Sequence, residues 1–145
     1  MILILERGIR LSIWLTFILV VMSNSNLYSQ NSDSLKTKLE GFFDQSISQR
    51  NKIRQVLTSK GQKSIEFKKL NKEISQSDSL ILIQVLKILD KYGWLGIDKI
   101  GATANEELFL AIQHSNLEIM EKYFPMLAGS AKQKKSSLLD MAKLM

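Results

Sequence analysis

Apolar residues recur at every third or fourth position along most of the chain, which is the spacing of one face of an α-helix. The first such stripe covers residues 35–57 and ends before Gly61. Charged residues occupy most positions between its apolar members, so the pattern predicts a surface helix with one buried face. The apolar members are Leu35, Leu39, Phe42, Phe43, Ile47, Ile53 and Leu57.

A second helical pattern runs over residues 63–92, and its densely apolar second half predicts a central buried helix. The Ser-rich residues 75–79 either interrupt this helix or lie inside it. Gly93 is placed to end the helix in the left-handed conformation. Trp94 would then pack on Leu89, as in a Schellman motif.

A connector with two glycines is expected at residues 95–102, and Thr103 with Glu106 matches a capping box, which predicts a helix beginning at Thr103. Ser115 and Asn116 can break and recap this helix. A further helical segment follows, in which Pro125 predicts a kink or an end.

The last helical pattern covers residues 137–145. No stretch of the chain alternates with a period of two residues, as an amphipathic strand would. The fold prediction is therefore all-α: a small bundle of about five helices, preceded by a signal peptide.

Residues 1–30 have the pattern of a secretory signal peptide. Arg7 and Arg10 give a positive start, and residues 11–22 carry no charge. This apolar run is short for a membrane-spanning helix, which needs about 20 residues. Export of the chain is therefore expected, to the periplasm or the outside of the cell.

Two cleavage positions fit the end of this segment: after Ser25, in a run of small polar residues, and after Gln30. The second makes residues 31–145 a single mature helical domain. The alternative is an uncleaved N-terminal anchor, in which case membrane contact occurs through this segment only.

Composition limits the function classes. The net charge of +6 arises from 20 basic and 14 acidic residues that are spread along the chain. The densest basic group, Lys132, Lys134 and Lys135, has no interleaved aromatic residue, so no nucleic-acid partner is expected. The absence of cysteine excludes disulfides, thiolate metal sites and a lipid-modified cysteine. No metal and no cofactor are expected.

The chain carries no phosphate-binding Gly-rich loop, no Gly-x-Ser-x-Gly sequence and no His-Glu-x-x-His sequence. His114 is its only histidine. On a continuous helix Glu107, His114, Glu118 and Glu121 would share one stripe, which could bind a cation or a basic partner. The alternative is an ordinary solvated face.

An aromatic pair, Tyr92 and Trp94, lies beside Gly93 and Gly96. Glycines allow a ligand to approach the backbone closely, so the pair could line a binding cleft. The alternative is that Trp94 closes one end of the bundle and Gly93 ends a helix.

Several strings together resemble, in order and spacing, an uncharacterised bacterial family of unknown function whose members often carry signal peptides. They are Asp44-Gln45 with Arg50, Asp78, Tyr92-Gly93-Trp94, Ile100-Gly101, Gln113-His114 and Tyr123-Phe124-Pro125. The resemblance implies a helical domain and no particular reaction.

The chain departs from the family pattern at two places. Ile81 stands where the family usually has Asn, and the family's Asp-Arg pair and C-terminal tail are missing after Asp140. The expectation is a truncated or degenerate member.

The leading functional expectation is a non-enzymatic exported domain that binds an envelope protein or a polymer. The alternative is a hydrolase-like enzyme with a polar pocket around Gln113 and His114. We expect Gln113 and His114 to lie beside the corner formed by Tyr92 and Trp94. The candidate binding residues are Asp44, Arg50, Asp78, Tyr92, Trp94, Gln113 and His114.

Overall fold

Five α-helices make up the computed structural model of this chain, which describes the backbone of residues 2–143 and the side chains of residues 31–143. They are α1 (Ile2–Lys60), α2 (Ile65–Tyr92), α3 (Ile97–Gln113), α4 (Leu117–Lys132) and α5 (Leu138–Lys143). No strand occurs in the described part of the chain, so the all-α prediction is confirmed. The side chains of the predicted signal peptide, residues 1–30, lie outside the described residues, so the signal-peptide prediction stays a prediction.

The compact unit that contains α2 to α5 begins at Leu35, within α1. Its core is built from the apolar faces of α1 to α4, with Leu39, Val85, Leu108 and Tyr123 among its fully buried side chains. Among the described residues, none of the helices combines the length and the apolar character needed to cross a bilayer.

Helix α1 contacts the core through its first described turns. Leu39 is fully buried, and Leu35 and Phe42 pack against the same cluster, as the apolar stripe predicted. Farther along, Ile47 and Leu57 remain largely exposed, so the buried face is shorter than the stripe.

Four side-chain hydrogen bonds connect α1 to α2; one of them, from Lys60 to Glu66, lies beside the turn between the helices, and the other three lie farther along them. Lys38 donates to Gln84, Gln45 donates to Ser77, and Arg50 donates to Asp78. The bonded residue on α1 moves from 38 to 45 while its partner on α2 moves from 84 to 77, so the two helices run antiparallel. These bonds extend the association beyond the short buried face of α1.

Helix α2 begins after Ser64, whose hydroxyl accepts a hydrogen bond from the Phe67 amide. It continues without interruption through residues 75–79. Its second half is amphipathic rather than central, because Leu80 and Ile83 are 66% and 49% exposed. The prediction of a central buried helix is therefore correct for one face only, on which Val85 and Leu89 are fully buried.

Gly93 ends α2 with φ of +70°, a value that favours glycine, and its amide donates to the Leu89 carbonyl at 2.9 Å. Its ψ of −167° is extended, so the residue is not in the left-handed helical conformation that a Schellman motif requires. The chain therefore leaves the helix in an extended direction. Trp94 still packs against the core cluster that contains Leu89.

Helix α3 begins after Gly96, so the connector expected over residues 95–102 is wrong for most of that range. Its first turn brings Ile100 into the core, where the side chain is fully buried. Gly101, with φ of 79° and ψ of 169°, then interrupts the helical backbone before the main part of the helix. The main part of the helix therefore starts next to the predicted start at Thr103, but Gly101 rather than Thr103 precedes it.

Asn116 separates α3 from α4, as predicted, and its side-chain oxygen accepts a hydrogen bond from the Ile119 amide at 2.9 Å. Pro125 lies inside α4, which continues to Lys132. Leu127 and Ala131 are buried beyond the proline, so packing keeps the later turns helical.

A buried polar bridge connects the segment before α3 to the segment after α4. The Asn105 amide nitrogen donates to the Leu95 carbonyl at 2.6 Å and to the Ser136 hydroxyl at 3.2 Å. The Ser136 hydroxyl also shares a hydrogen bond with that of Ser130. These bonds satisfy polar groups that would otherwise be costly to bury.

Candidate functional site

A groove of about 440 Å³ lies where α1, α2 and α3 meet, and we call it the three-helix groove. Its volume falls in the usual range of small-ligand sites. Polar and titratable groups line it together with an aliphatic wall. The lining residues are Ser46, Ile47, Arg50, Asn71, Ile74, Ser75, Asp78, Ser79, Ile81, Leu82, Glu107, Leu110, Ala111 and His114.

An ion pair spans the groove from α1 to α2. The Arg50 guanidinium donates to the Asp78 carboxylate at 2.8 Å, and both side chains are about two-thirds buried. A charge-assisted bond of this length is among the stronger side-chain contacts. The pair therefore holds its two helices in register and fixes one positive and one negative group at the groove.

Glu107 contributes a buried carboxyl group from α3. The residue is 1% exposed, and its Oε2 atom has no hydrogen-bond partner. Burial raises the pKa of Glu107 to about 7, with a further increase from the negative charge of Asp78 and a partial decrease from Arg50. This carboxyl group can therefore exchange a proton near neutral pH.

His114 lies at the C-terminal end of α3, on the rim of the groove. The residue is exposed overall, but desolvation of its ring lowers the pKa. The positive charge of Arg50 lowers this pKa further, and Asp78 opposes the change. The imidazole is therefore biased towards its neutral form, which offers one donor and one acceptor.

Three of the seven predicted site residues come together: Arg50, Asp78 and His114 all line the three-helix groove. Asp44 is exposed on α1 and lines neither cavity of the described structure. Gln113 is half-buried and also lines neither.

Tyr92 and Trp94 line a second cavity of about 390 Å³, between the segment before α3 and helix α4. The indole nitrogen of Trp94 is buried without a hydrogen-bond partner. His114 is at the other end of α3, and the part of this helix after Gly101 is roughly 18 Å long at 1.5 Å per residue. The prediction that Gln113 and His114 lie beside the Tyr92 to Trp94 corner is therefore wrong.

The predicted stripe of Glu107, His114, Glu118 and Glu121 is not present as one face, because Asn116 starts a new helix after His114. Glu107 points into the protein, whereas Glu118 and Glu121 are exposed on α4.

Sequence reasoning placed Glu107 on one stripe with His114, but it missed the burial of Glu107 and its position beside Arg50 and Asp78. One signal was available: Glu107 lies three residues after Ala104 and four before Ala111, positions that share a helix face with it. A carboxylate between small apolar residues on the core side of a helix indicates burial.

No group of three or more His, Asp or Glu side chains in the described residues could hold a metal ion. Comparison with models of known protein families, with curated proteins and with solved structures finds no match to this chain. The functional argument therefore rests on the geometry of the groove.

Proposed function

We propose that this chain is an exported, non-enzymatic binding domain of the bacterial envelope, and that the three-helix groove is its ligand site. One observation carries the proposal. Arg50, Asp78, Glu107 and His114 come from three helices and meet at one cavity of about 440 Å³, with an aliphatic wall beside them. Ligand sites in proteins combine concave apolar surface with a few convergent polar groups in this way.

The polar groups at the groove are of the kind that recognise a ligand. Glu107 has an oxygen without a hydrogen-bond partner, and retaining such a buried group costs free energy in the empty domain. A ligand that hydrogen-bonds to this oxygen recovers that cost. Envelope proteins and polymers present polar groups on short chains, which a groove of this size accommodates.

A hydrolase-like enzyme is the second candidate, and the pKa of Glu107 near 7 favours it, because proton transfer is efficient when the pKa is near the working pH. Nucleophilic catalysis also needs a hydroxyl group that contacts a base. Within the described residues, neither His114 nor Glu107 is hydrogen-bonded to any of the serines in the groove. Binding is therefore the better-supported function.

The test of the proposal is a fragment screen by NMR on the isotopically labelled full chain. We expect polar fragments to shift the backbone amide signals of Asp78, Ala111 and His114. Ser75→Phe places a bulky ring at an exposed position on the groove lining and should abolish these shifts. Gln76→Phe adds the same ring one residue away, off the groove lining, and should preserve them. Fragment binding that Ser75→Phe leaves unchanged would overturn the proposal.

Export has a separate test. The mature N-terminus is expected between residues 24 and 31, and mass spectrometry of the protein from its native host measures it. Membrane-bound protein that retains Met1 would contradict cleavage and support an anchor.

A further inference from the structure

Glu107 is the most unusual group in the described part of the chain, because its carboxyl group is buried at the groove and its Oε2 atom has no hydrogen-bond partner. Leaving a buried acceptor unsatisfied is costly, and the cost is larger when the acceptor carries charge. A ligand with a hydrogen-bond donor directed at this oxygen removes that cost. The Oε2 atom of Glu107 therefore lacks a hydrogen-bond donor, which a ligand can supply.

The charges at the groove indicate which donor fits. Arg50 and Asp78 neutralise each other in their ion pair, and the pKa of His114 is lowered towards the neutral form. The ionised Glu107 carboxylate is then the only uncompensated charge among the residues lining this groove. The groove is thus negative in a chain whose net charge is +6. A cation is attracted there and an anion is repelled.

The aliphatic wall of the groove indicates to which kind of chemical group the cation of the ligand is attached. Ile47 comes from α1, Ile74, Ile81 and Leu82 come from α2, and Leu110 and Ala111 come from α3. An aliphatic chain buries apolar surface against this wall, which contributes roughly 25 cal/mol per Å². A strongly hydrated cation without such a chain gains nothing from the wall.

We propose that the three-helix groove binds a primary ammonium group on a short aliphatic chain, with the ammonium at the Glu107 carboxylate and the chain along the aliphatic wall. This inference rests on the proposed function of the groove as a ligand site. The same chemistry occurs in free alkyl diamines and in the side chain of lysine within a peptide. An ammonium group supplies three donors, one of which satisfies the Oε2 atom.

Binding of the cation is linked to ionisation of Glu107. The charged groups that act on this carboxyl group are Arg50 from α1, Asp78 from α2 and Glu106 from α3. His114 lines the same groove at the end of α3. The pKa of Glu107 is raised to about 7, chiefly by burial, so at lower pH the carboxyl group is protonated and neutral. Amine affinity should therefore fall about tenfold between pH 8 and pH 6, since the ionised fraction falls by about that factor.

Titrations of the labelled full chain with cadaverine and with Nα-acetyl-lysine methylamide test the proposal. NMR at pH 6 and pH 8 gives the affinities, and 1,5-pentanediol and glutarate serve as neutral and anionic compounds of similar length. We expect at least one amine to bind in the groove, and to bind more tightly than the diol and glutarate. Tighter binding of cadaverine indicates a free diamine as the natural ligand, and tighter binding of the lysine derivative indicates a peptide.

Glu107→Gln keeps the shape of the side chain and removes its charge. It should weaken amine binding at pH 8 by about tenfold or more and abolish the difference between pH 6 and pH 8. Glu106→Gln removes the same charge from the exposed neighbouring residue and should retain both the affinity and most of the pH dependence.

Other outcomes overturn the inference. If the diol or glutarate binds in the groove as tightly as the amines, the ligand class is wrong, although the groove remains a ligand site. If the amines bind equally well to Glu107→Gln, the Glu107 carboxylate is not the group that binds the ammonium. If neither these compounds nor the screened fragments bind in the groove, the proposed function itself fails.

Discussion

Arg50 on α1 donates a 2.8 Å hydrogen bond to Asp78 on α2, and both groups act electrostatically on the buried carboxyl group of Glu107 on α3. Asp78 raises the pKa of Glu107 and Arg50 lowers it. The ion pair therefore joins two helices and also contributes to the electrostatic potential that shifts the pKa of Glu107.

Opposite substitutions in this pair should shift the pKa of Glu107 in opposite directions. Arg50→Gln removes the positive charge and should raise the pKa, whereas Asp78→Asn removes the negative charge and should lower it. Side-chain ¹³C NMR during a pH titration measures both. Asp44→Asn is the control, because Asp44 is exposed outside the groove. Shifts of the same sign in both variants would contradict the described geometry.

The raised pKa of Glu107 predicts the pH dependence of folding. Its pKa rises from 4.5 to about 7, so between these values the native state holds a proton that the unfolded chain releases. The contribution of this group to stability is complete below about pH 4.5 and is lost as the pH rises through about 7. The loss is on the order of 3 kcal/mol, because one pKa unit corresponds to about 1.4 kcal/mol and the buried carboxyl group is shielded from water.

Glu107→Gln should remove this dependence. The measurement is urea unfolding of both proteins at pH 5, 6, 7 and 8. We expect Glu107→Gln to gain stability relative to the parent protein as the pH rises. The lowered pKa of His114 gives a trend of opposite sign, which both proteins share and which cancels in the comparison. If the difference in the free energy of unfolding between the two proteins were the same at all four pH values, Glu107 would have an ordinary pKa.

Much of the fold follows from local sequence signals. Asn116 can satisfy an exposed amide at the start of α4, and Gly93 can adopt the positive φ that ends α2. Such preferences act within a few residues, so they can be read from the chain. The helical turn before Gly101 was not predicted, because its Ile100 side chain is buried against distant parts of the chain and local signals do not reveal such contacts.

The site was only partly predictable for the same reason. Arg50 and Asp78 can be identified in the sequence as candidate site residues. Their ion pair, however, depends on how α1 packs on α2. The inward direction of Glu107 depends on the rotation of α3, which the kink at Gly101 adjusts. Helix rotation and packing are long-range properties, so the spacing of residues alone did not reveal them.

The close contact at Gly96 gives a prediction about the fold around the second cavity. A Cβ atom at Gly96 would lie 2.6 Å from the Lys135 Cβ atom and 2.6 Å from an Asp98 oxygen. Gly96→Ala should therefore destabilise the domain by about 1 to 3 kcal/mol, the usual cost of overpacking.

Gly129, inside α4, is the matched control, because a Cβ atom there would meet nothing within 4 Å. Gly129→Ala should stabilise the domain by about 0.5 to 1 kcal/mol through the helix preference of alanine. Thermal unfolding of the two variants measures the contrast. If Gly96→Ala and Gly129→Ala changed the stability of the domain equally, the segment before α3 would not pack closely on the residues after α4.

The titration of the Glu107 side-chain carboxyl group, followed by ¹³C NMR with and without saturating cadaverine, is the most direct test of the groove as an amine-binding site. The account predicts a midpoint near pH 7 in the free protein, because burial disfavours the charged form. It predicts a lower midpoint with cadaverine, because a bound ammonium stabilises the carboxylate. A midpoint near the ordinary value of 4.5 that cadaverine leaves unchanged would contradict the account.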